Sequence, residues 1–208
     1  MPKKEVPLNS LSQFLPPGTY EEISRYLHFY KIHLTIAKER KTVLGDYRHK
    51  THYTNHRISV NGNLNPYAFL ITTLHELAHL VVFETYGNRV QSHGSEWKSI
   101  YSKLLHQFTE NKIFPPDIEH ELRRSLKNPA ASSCAEDDLI RVLRKYDPQK
   151  TNYMLVEEIP EGKLFKLEDG KIFRKGEKQR KRYKCTEVKS GRIYLFSPVF
   201  EVERVEEP

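Results

Sequence analysis

The stretch HELAH at residues 75–79 carries two histidines and a glutamate at a spacing that suits a metal ion. On an α-helix, His75 and His79 lie on one face about one turn apart, roughly 5–6 Å, so both imidazoles can reach one ion. Glu76 projects beside that ion and not into its coordination shell, where a carboxylate can take a proton from water. Zinc with three protein ligands and one open position activates water in this way. The motif therefore predicts a hydrolytic metal centre with Glu76 as general base.

The third ligand distinguishes the classes of such zinc sites. A site of the metzincin type needs glycine and histidine at positions occupied by Val82 and Thr85, which excludes that pattern. His93 is the next histidine in the chain, and Gly94 beside it allows close backbone approach. Glu96 is the rival, as in sites built from two histidines and a glutamate. We favour His93 and expect one Zn²⁺ per chain.

Two helices must present these side chains. Asn65-Pro66 opens an apolar run that ends at Gly87, which predicts a mostly buried helix carrying the motif. Burying two histidines and a carboxylate in such a helix is costly unless they have partners, which favours a metal site. No apolar run is expected to span a membrane. A second helix after Gly94, packed on the first, is predicted by apolar residues at helical spacing: Trp97, Ile100, Tyr101, Leu104, Leu105 and Phe108.

The flanking segments predict a small sheet and further helices. Thr19 and Glu22 have the spacing of a capping box, so a first helix is predicted over residues 20–30. Alternation of apolar and polar residues predicts three strands of an antiparallel meander, at residues 32–38, 42–48 and 56–62. Two short amphipathic helices are predicted downstream, at residues 117–126 and 137–146.

Residues 149–208 are predicted to form a separate all-β module, because short β-type runs alternate there with glycine-containing turns. The two cysteines of the chain, Cys134 and Cys185, exclude a disulfide scaffold. The fold class is therefore α+β, with residues 1–148 as the first domain and residues 149–208 as the second. An aromatic core is expected to hold the module together: Phe165, Phe173, Tyr183, Tyr194 and Phe196.

The basic charge of the chain lies in one segment. The whole chain has a net charge of +7. The segment from Lys163 to Arg192 has a net charge of +8, from 12 Lys/Arg against 4 Asp/Glu, so the remaining residues sum to −1. Such clustering is typical of proteins that bind nucleic acid. The alternative is a hairpin whose charged side chains are simply solvated. Phe173 and Tyr183, beside the densest run, are of the type that stacks on unpaired bases. The predicted contacts to DNA are Arg174, Lys175, Lys178, Arg180, Lys181, Arg182 and Lys184.

HELAH followed by HGSEW resembles the signature of the SprT and Spartan family: HExxH, a spacer, then His-Gly and an aromatic residue. RISVN and LNP upstream match the order of that family's strand and active-site helix, and the likeness covers about residues 20–110. The resemblance implies a zincin-like domain in which His75, His79 and His93 bind zinc and Glu76 is the general base. It also implies action on DNA-associated proteins, because eukaryotic members cleave proteins crosslinked to DNA.

Proteins of this family often end in a zinc ribbon with two cysteine pairs. Here Cys185 is the one cysteine of the corresponding segment. One thiolate cannot make a four-coordinate structural site. The resemblance therefore implies a degenerate, ribbon-like module without a complete metal site.

These observations predict a zinc-dependent SprT-like metalloprotease that hydrolyses peptide bonds of DNA-associated proteins, with protein and DNA as its partners. The alternative from another class is a non-catalytic, zinc-containing DNA-binding adaptor in transcription or replication. A third possibility is a peptidase that acts on free peptides without DNA. The N-terminal MPKKEVPLNSLSQFL has no apolar signal region, so a cytoplasmic location is expected, at the nucleoid if the protein is bacterial.

Overall fold

The computed structural model describes residues 8–40, 42–126, 129–130, 134, 136–148 and 152–205. The chain divides into two compact units, Met1–Asp147 and Pro148–Pro208. The first unit combines helices with a small sheet, and the second is an antiparallel sheet, so the fold is α+β. Residues 1–7, on which the expectation about an N-terminal signal partly rests, lie outside the described residues.

A 3₁₀ segment, Leu8–Phe14, leads into the helices and the small sheet of the first unit. The helices are α1 (Tyr20–Phe29), α2 (Pro66–Tyr86), α3 (Ser95–Glu110), α4 (Pro116–Ser125) and α5 (Asp137–Arg144). The strands are β1 (His33–Ala37), β2 (Gly45–Arg48) and β3 (Arg57–Asn61). Every predicted element of this unit is present, with ends that differ slightly from those expected.

Helix α2 forms the centre of the core and carries the HELAH motif. Its start is defined by Asn65, whose side-chain oxygen accepts a hydrogen bond from the Ala68 N–H at 2.9 Å, and by Pro66 in the first turn. It ends at Gly87, whose φ of 62° favours glycine. Contrary to expectation, its length and composition would suffice to cross a membrane, but most of the helix is buried inside the protein. We conclude that α2 is a core helix.

The predicted capping box at the start of α1 is wrong. Thr19 has helical dihedral angles, with φ −102° and ψ −16°, and its side chain makes no capping hydrogen bond. The Thr19 hydroxyl donates instead to the Pro16 carbonyl at 2.7 Å. Glu22 accepts a hydrogen bond from the Gln107 amide of α3 at 2.9 Å. Other contacts therefore take both side chains away from the helix end.

The sheet of the first unit is mixed, so the predicted antiparallel meander is wrong. Strand β3 lies in the centre, parallel to β1 and antiparallel to β2. The connection from β1 to β2 crosses the end of β3, where two side chains hold it. Arg40 Nε donates to Asn61 Oδ1 at 2.8 Å, and Asn61 Nδ2 donates to the Arg40 carbonyl at 3.0 Å. This contact carries the chain past β3 and leaves β2 at the edge of the sheet, beside α2.

The second unit is one antiparallel sheet with the spatial order β4-β9-β5-β6-β7-β8 among residues 152–205. Its strands are β4 (Tyr153–Leu155), β5 (Leu164–Lys166), β6 (Ile172–Gln179), β7 (Arg182–Glu187), β8 (Ile193–Phe196) and β9 (Glu201–Arg204). Three of the predicted aromatic residues are buried in its core with Cys185: Phe165, Phe173 and Phe196. Tyr183 packs against this core in part, whereas Tyr194 is 39% exposed.

Candidate metal centre

Three histidine side chains converge between helices α2 and α3. His75 Nε2 lies 3.2 Å from His79 Nε2 and 3.4 Å from His93 Nε2. The ligand atoms of all three residues lie within 4.8 Å of one another. His75 is buried and the other two are half-buried, so the cluster is accessible from the side of His79 and His93.

The local sequence explains this convergence. His75 and His79 lie one turn apart on α2, so they share a face of the helix. A short turn joins α2 to α3, and His93 stands near its end, where the chain has reversed direction. Glu96, the rival ligand, lies outside the cluster, and its Oε2 accepts a hydrogen bond from Ser95 Oγ at 3.0 Å. The structure thus brings together the three predicted histidines and leaves out the glutamate.

Trp97 of α3 forms a wall against all three imidazoles. The centroid of its ring system lies 4.7 Å from those of His75 and His93 and 5.3 Å from that of His79. Tyr101 stacks on the indole at 4.8 Å. Trp97 is fully buried, so this packing restricts the orientations that the imidazoles can adopt. The sequence pattern placed Trp97 on the apolar face of α3 but did not indicate this contact.

The chemistry of the cluster suits a cation. Burial, with the neighbouring imidazoles, lowers the pKa of His75 to about 3 and that of His79 to about 4, and burial also lowers the pKa of His93. Neutral imidazoles each have a lone pair on one nitrogen, and converging lone pairs repel one another unless a proton or a cation lies between them. Two nitrogens that bind one tetrahedral zinc at ~2.05 Å are about 3.3 Å apart. The observed separations of 3.2 and 3.4 Å fit this value.

Glu76 follows His75 on α2 and faces strand β2. Its side chain is nearly fully buried, and a Cβ atom at Gly45 would lie only 2.5 Å from Glu76 Oε1. Burial, and to a smaller extent the nearby Asp46 carboxylate, raise the pKa of Glu76 to about 8 against the opposing effect of Arg40. Gly45 was missed from the sequence, although a glycine within a strand often marks close approach of another group.

Comparison with protein families matches residues 19–120 to the SprT-like family. Residues 19–120 therefore form a SprT-like domain. The resemblance inferred from HELAH and HGSEW is thereby confirmed. The SprT-like region contains the mixed sheet, the histidine cluster and Glu76, whereas α5 and the second unit lie beyond it.

A curated relative is Protein SprT from Pseudomonas fluorescens. It is 34% identical to this chain over 68 residues, which cover 32% of this chain and 39% of the relative. The match therefore spans well under half of the length of that relative. No solved structure matches the chain significantly.

The basic residues predicted to contact DNA lie on β6, on β7 and in the turn that joins them. Most are exposed, and Lys184 is half-buried. Lys175 is the exception, because it is buried and its Nζ donates to the carbonyls of Glu157, at 3.0 Å, and Ile159. Its assignment to a DNA-contacting surface is therefore corrected. Phe173 is also buried in the core of the module and cannot stack on a base.

Proposed function

We propose that the SprT-like domain is a zinc-dependent metalloprotease that hydrolyses peptide bonds of DNA-associated proteins. The observation that carries the proposal is the convergence of three imidazole Nε2 atoms next to a buried glutamate that is not one of the ligands. A structural zinc site usually fills all four positions with protein ligands. Three ligands together with a free carboxylate are instead the composition of a hydrolytic site.

Each of these side chains has a distinct role in the proposal. His75, His79 and His93 would hold the ion through their converging Nε2 atoms. When bound, zinc supplies Lewis acidity toward water and toward a scissile carbonyl. Glu76 accepts a proton from the attacking water at its carboxylate and passes it to the leaving amine. Burial supports this role, because a carboxylate with a raised pKa is a stronger base than an exposed one.

Strand β2 supports binding of an extended substrate. Within the described residues, its outer edge has no partner strand, so its N–H and C=O groups are available to a substrate segment. Gly45 brings this strand against the Glu76 carboxylate. A segment paired with β2 would therefore pass beside the general base.

The hairpin formed by β6 and β7 supports the DNA part of the proposal. Lysine and arginine side chains that neutralise phosphates release counterions, so the affinity for DNA should fall steeply with salt. The exposed basic residues at the tip of this hairpin are Lys178, Arg180, Lys181 and Arg182.

We also propose a cytoplasmic location for the protein, at the nucleoid if it is bacterial.

The variant Glu76→Gln tests the catalytic proposal. Glutamine has the same shape but cannot take the proton, so the variant should keep its zinc and lose about 10²-fold or more of its turnover. Zinc content is measured by elemental analysis, and turnover by cleavage of an unfolded protein such as casein with and without DNA. Turnover equal to that of the wild type would refute the role of Glu76.

Two other results would favour the alternatives. Zinc binding without cleavage by the wild type, with DNA present, would favour the non-catalytic adaptor. Cleavage at the same rate with and without DNA would favour a peptidase that acts on free peptides.

A further inference from the structure

Strand β8 carries an apolar surface that the proposed protease does not use. The side chains of Ile193 and Leu195 are 57% and 52% exposed, and Val188 in the preceding turn is 53% exposed. Among the described residues, β8 is the last strand of its sheet and pairs on one side, with β7. Most proteins protect an apolar edge strand with charge, proline or a covering element, so an exposed one indicates a binding surface.

The free edge of β8 presents main-chain hydrogen-bonding groups. The Glu187 N–H donates to the Arg192 carbonyl at 2.8 Å. In an antiparallel pair, hydrogen-bonded residues alternate with residues whose N–H and C=O groups point away from the partner strand. By this alternation, Ile193 and Leu195 are residues of the second kind. Their N–H and C=O groups therefore point to the free edge, where another strand can pair.

We propose that β8 binds an extended segment of a partner protein, which continues the sheet as an added strand. The segment has apolar side chains at the alternate positions that contact Ile193 and Leu195, and acidic residues at both ends. The acidic ends follow from the exposed basic residues around the edge. Lys189 and Arg192 lie in the connection that leads from β7 into β8, and Arg182 lies across from the end of β8.

Nucleic acid fits this surface poorly. Aliphatic side chains do not stack on bases as aromatic rings do. Tyr194, on β8, turns to the inner face of the sheet, where its ring contacts Phe173 at 5.3 Å. A nucleic acid also lacks the alternating N–H and C=O groups that pair with a strand edge.

A second copy of the chain fits poorly as well. Two copies paired through β8 would bring their basic segments toward each other. Each segment from Lys163 to Arg192 has a net charge of +8, so the two would repel. A partner segment with acidic ends is instead attracted by the same basic residues.

The probe is a fluorescein-labelled synthetic peptide in which valine and threonine alternate between two glutamates at each end. Its affinity for the full chain is measured by fluorescence anisotropy. The double variant Ile193→Thr, Leu195→Thr places at both positions a β-branched residue that favours strands but has less apolar surface, and it should bind about tenfold more weakly. Val43→Thr, at an exposed apolar residue of the first unit, is the matched control and should bind like the wild type.

A second pair of substitutions, Lys189→Glu with Arg192→Glu, tests the acidic ends independently and should also weaken binding about tenfold. Thermal unfolding of each variant checks that the exposed substitutions leave the fold intact. The proposal is overturned if the wild type does not bind the peptide, or if the threonine variant binds it equally well. It is also overturned if the threonine variant loses affinity for duplex DNA, or if it abolishes self-association that the peptide does not inhibit.

Discussion

Replacing Gly45 with alanine tests whether the position of Glu76 governs the chemistry of the site. The new Cβ would lie 2.5 Å from Glu76 Oε1, 2.8 Å from Thr72 Cγ2 and 2.9 Å from Glu76 Cγ. Carbon and oxygen atoms in contact are roughly 3.3 Å apart or more, so the carboxylate must move by about 0.8 Å. Glu76 is nearly fully buried, so this movement takes place inside the site and not in solvent.

The size of the effect follows from this displacement. A misplacement of about 1 Å in a reacting geometry costs roughly 10²-fold in rate, so turnover should fall by about that factor. Overpacking costs about 1–3 kcal/mol, and the lower entropy of the unfolded alanine chain returns about 0.4–1 kcal/mol. The free energy of unfolding should therefore fall by about 1–2 kcal/mol. Zinc content should stay the same, because the atoms that must move belong to Glu76 and Thr72 and not to the histidines.

The assay compares casein cleavage, zinc content and thermal unfolding for Gly45→Ala and for Gly170→Ala. Gly170 has a φ of 84°, which strains alanine, but no atom lies within 4 Å of its added Cβ. This control should therefore lose stability without losing turnover below its unfolding temperature. Wild-type turnover in Gly45→Ala would refute the reasoning. Loss of zinc together with turnover would show that the damage had reached the histidine cluster instead.

His93→Ala should lose its zinc, whereas Glu96→Ala should keep it, because His93 and not Glu96 lies in the cluster, and elemental analysis of the two variants decides. In the metal-free protein, the lowered pKa values of the histidines give stability that is present above about pH 6.5 and lost as the pH falls toward about 4 and 3. The raised pKa of Glu76 acts in the opposite sense, because its contribution to stability is lost as the pH rises through about 8. The free energy of unfolding in urea should therefore be greatest near about pH 6–7, and a monotonic dependence on pH would contradict this. Lys175→Met should leave the affinity for duplex DNA unchanged but destabilise the second unit, because its ammonium group donates to carbonyls in the interior. Charge reversal at Arg180, Lys181 and Arg182, at the hairpin tip, should weaken the affinity for duplex DNA about tenfold or more and flatten its salt dependence. Fluorescence anisotropy at several salt concentrations measures both effects.

Local signals in the sequence determined the helices of the site. Asn65 and Pro66 mark the start of α2, and Gly87 marks its end, because caps depend on residues within one turn of each other. The spacing of HELAH placed two imidazoles on one helix face for the same reason. These features were predicted correctly since no distant residue is needed to produce them.

Features that depend on contacts between distant residues were not predictable in this way. Alternation of apolar and polar residues identified three strands, but it carries no information about which strands become neighbours. The connection from β1 to β2 passes β3, where Arg40 and Asn61 form hydrogen bonds from 21 positions apart in the chain. Lys175 belongs to a basic run in the sequence, yet the pleat of β6 turns it into the interior.

The sequence by itself determined that this chain has a SprT-like motif with two imidazoles and a carboxylate on one helix, because that chemistry lies within two helical turns. The sequence favoured His93 over Glu96 as the third ligand, and the tertiary structure decided which of the ten histidines of the chain joins the cluster. His56 is more deeply buried than His93, but its Nδ1 is hydrogen-bonded to the Tyr47 hydroxyl at 2.9 Å, away from the cluster. His93 joins His75 from 18 positions along the chain because the turn between α2 and α3 reverses the backbone. Such a contact arises from the packing of two helices, which local sequence patterns do not specify.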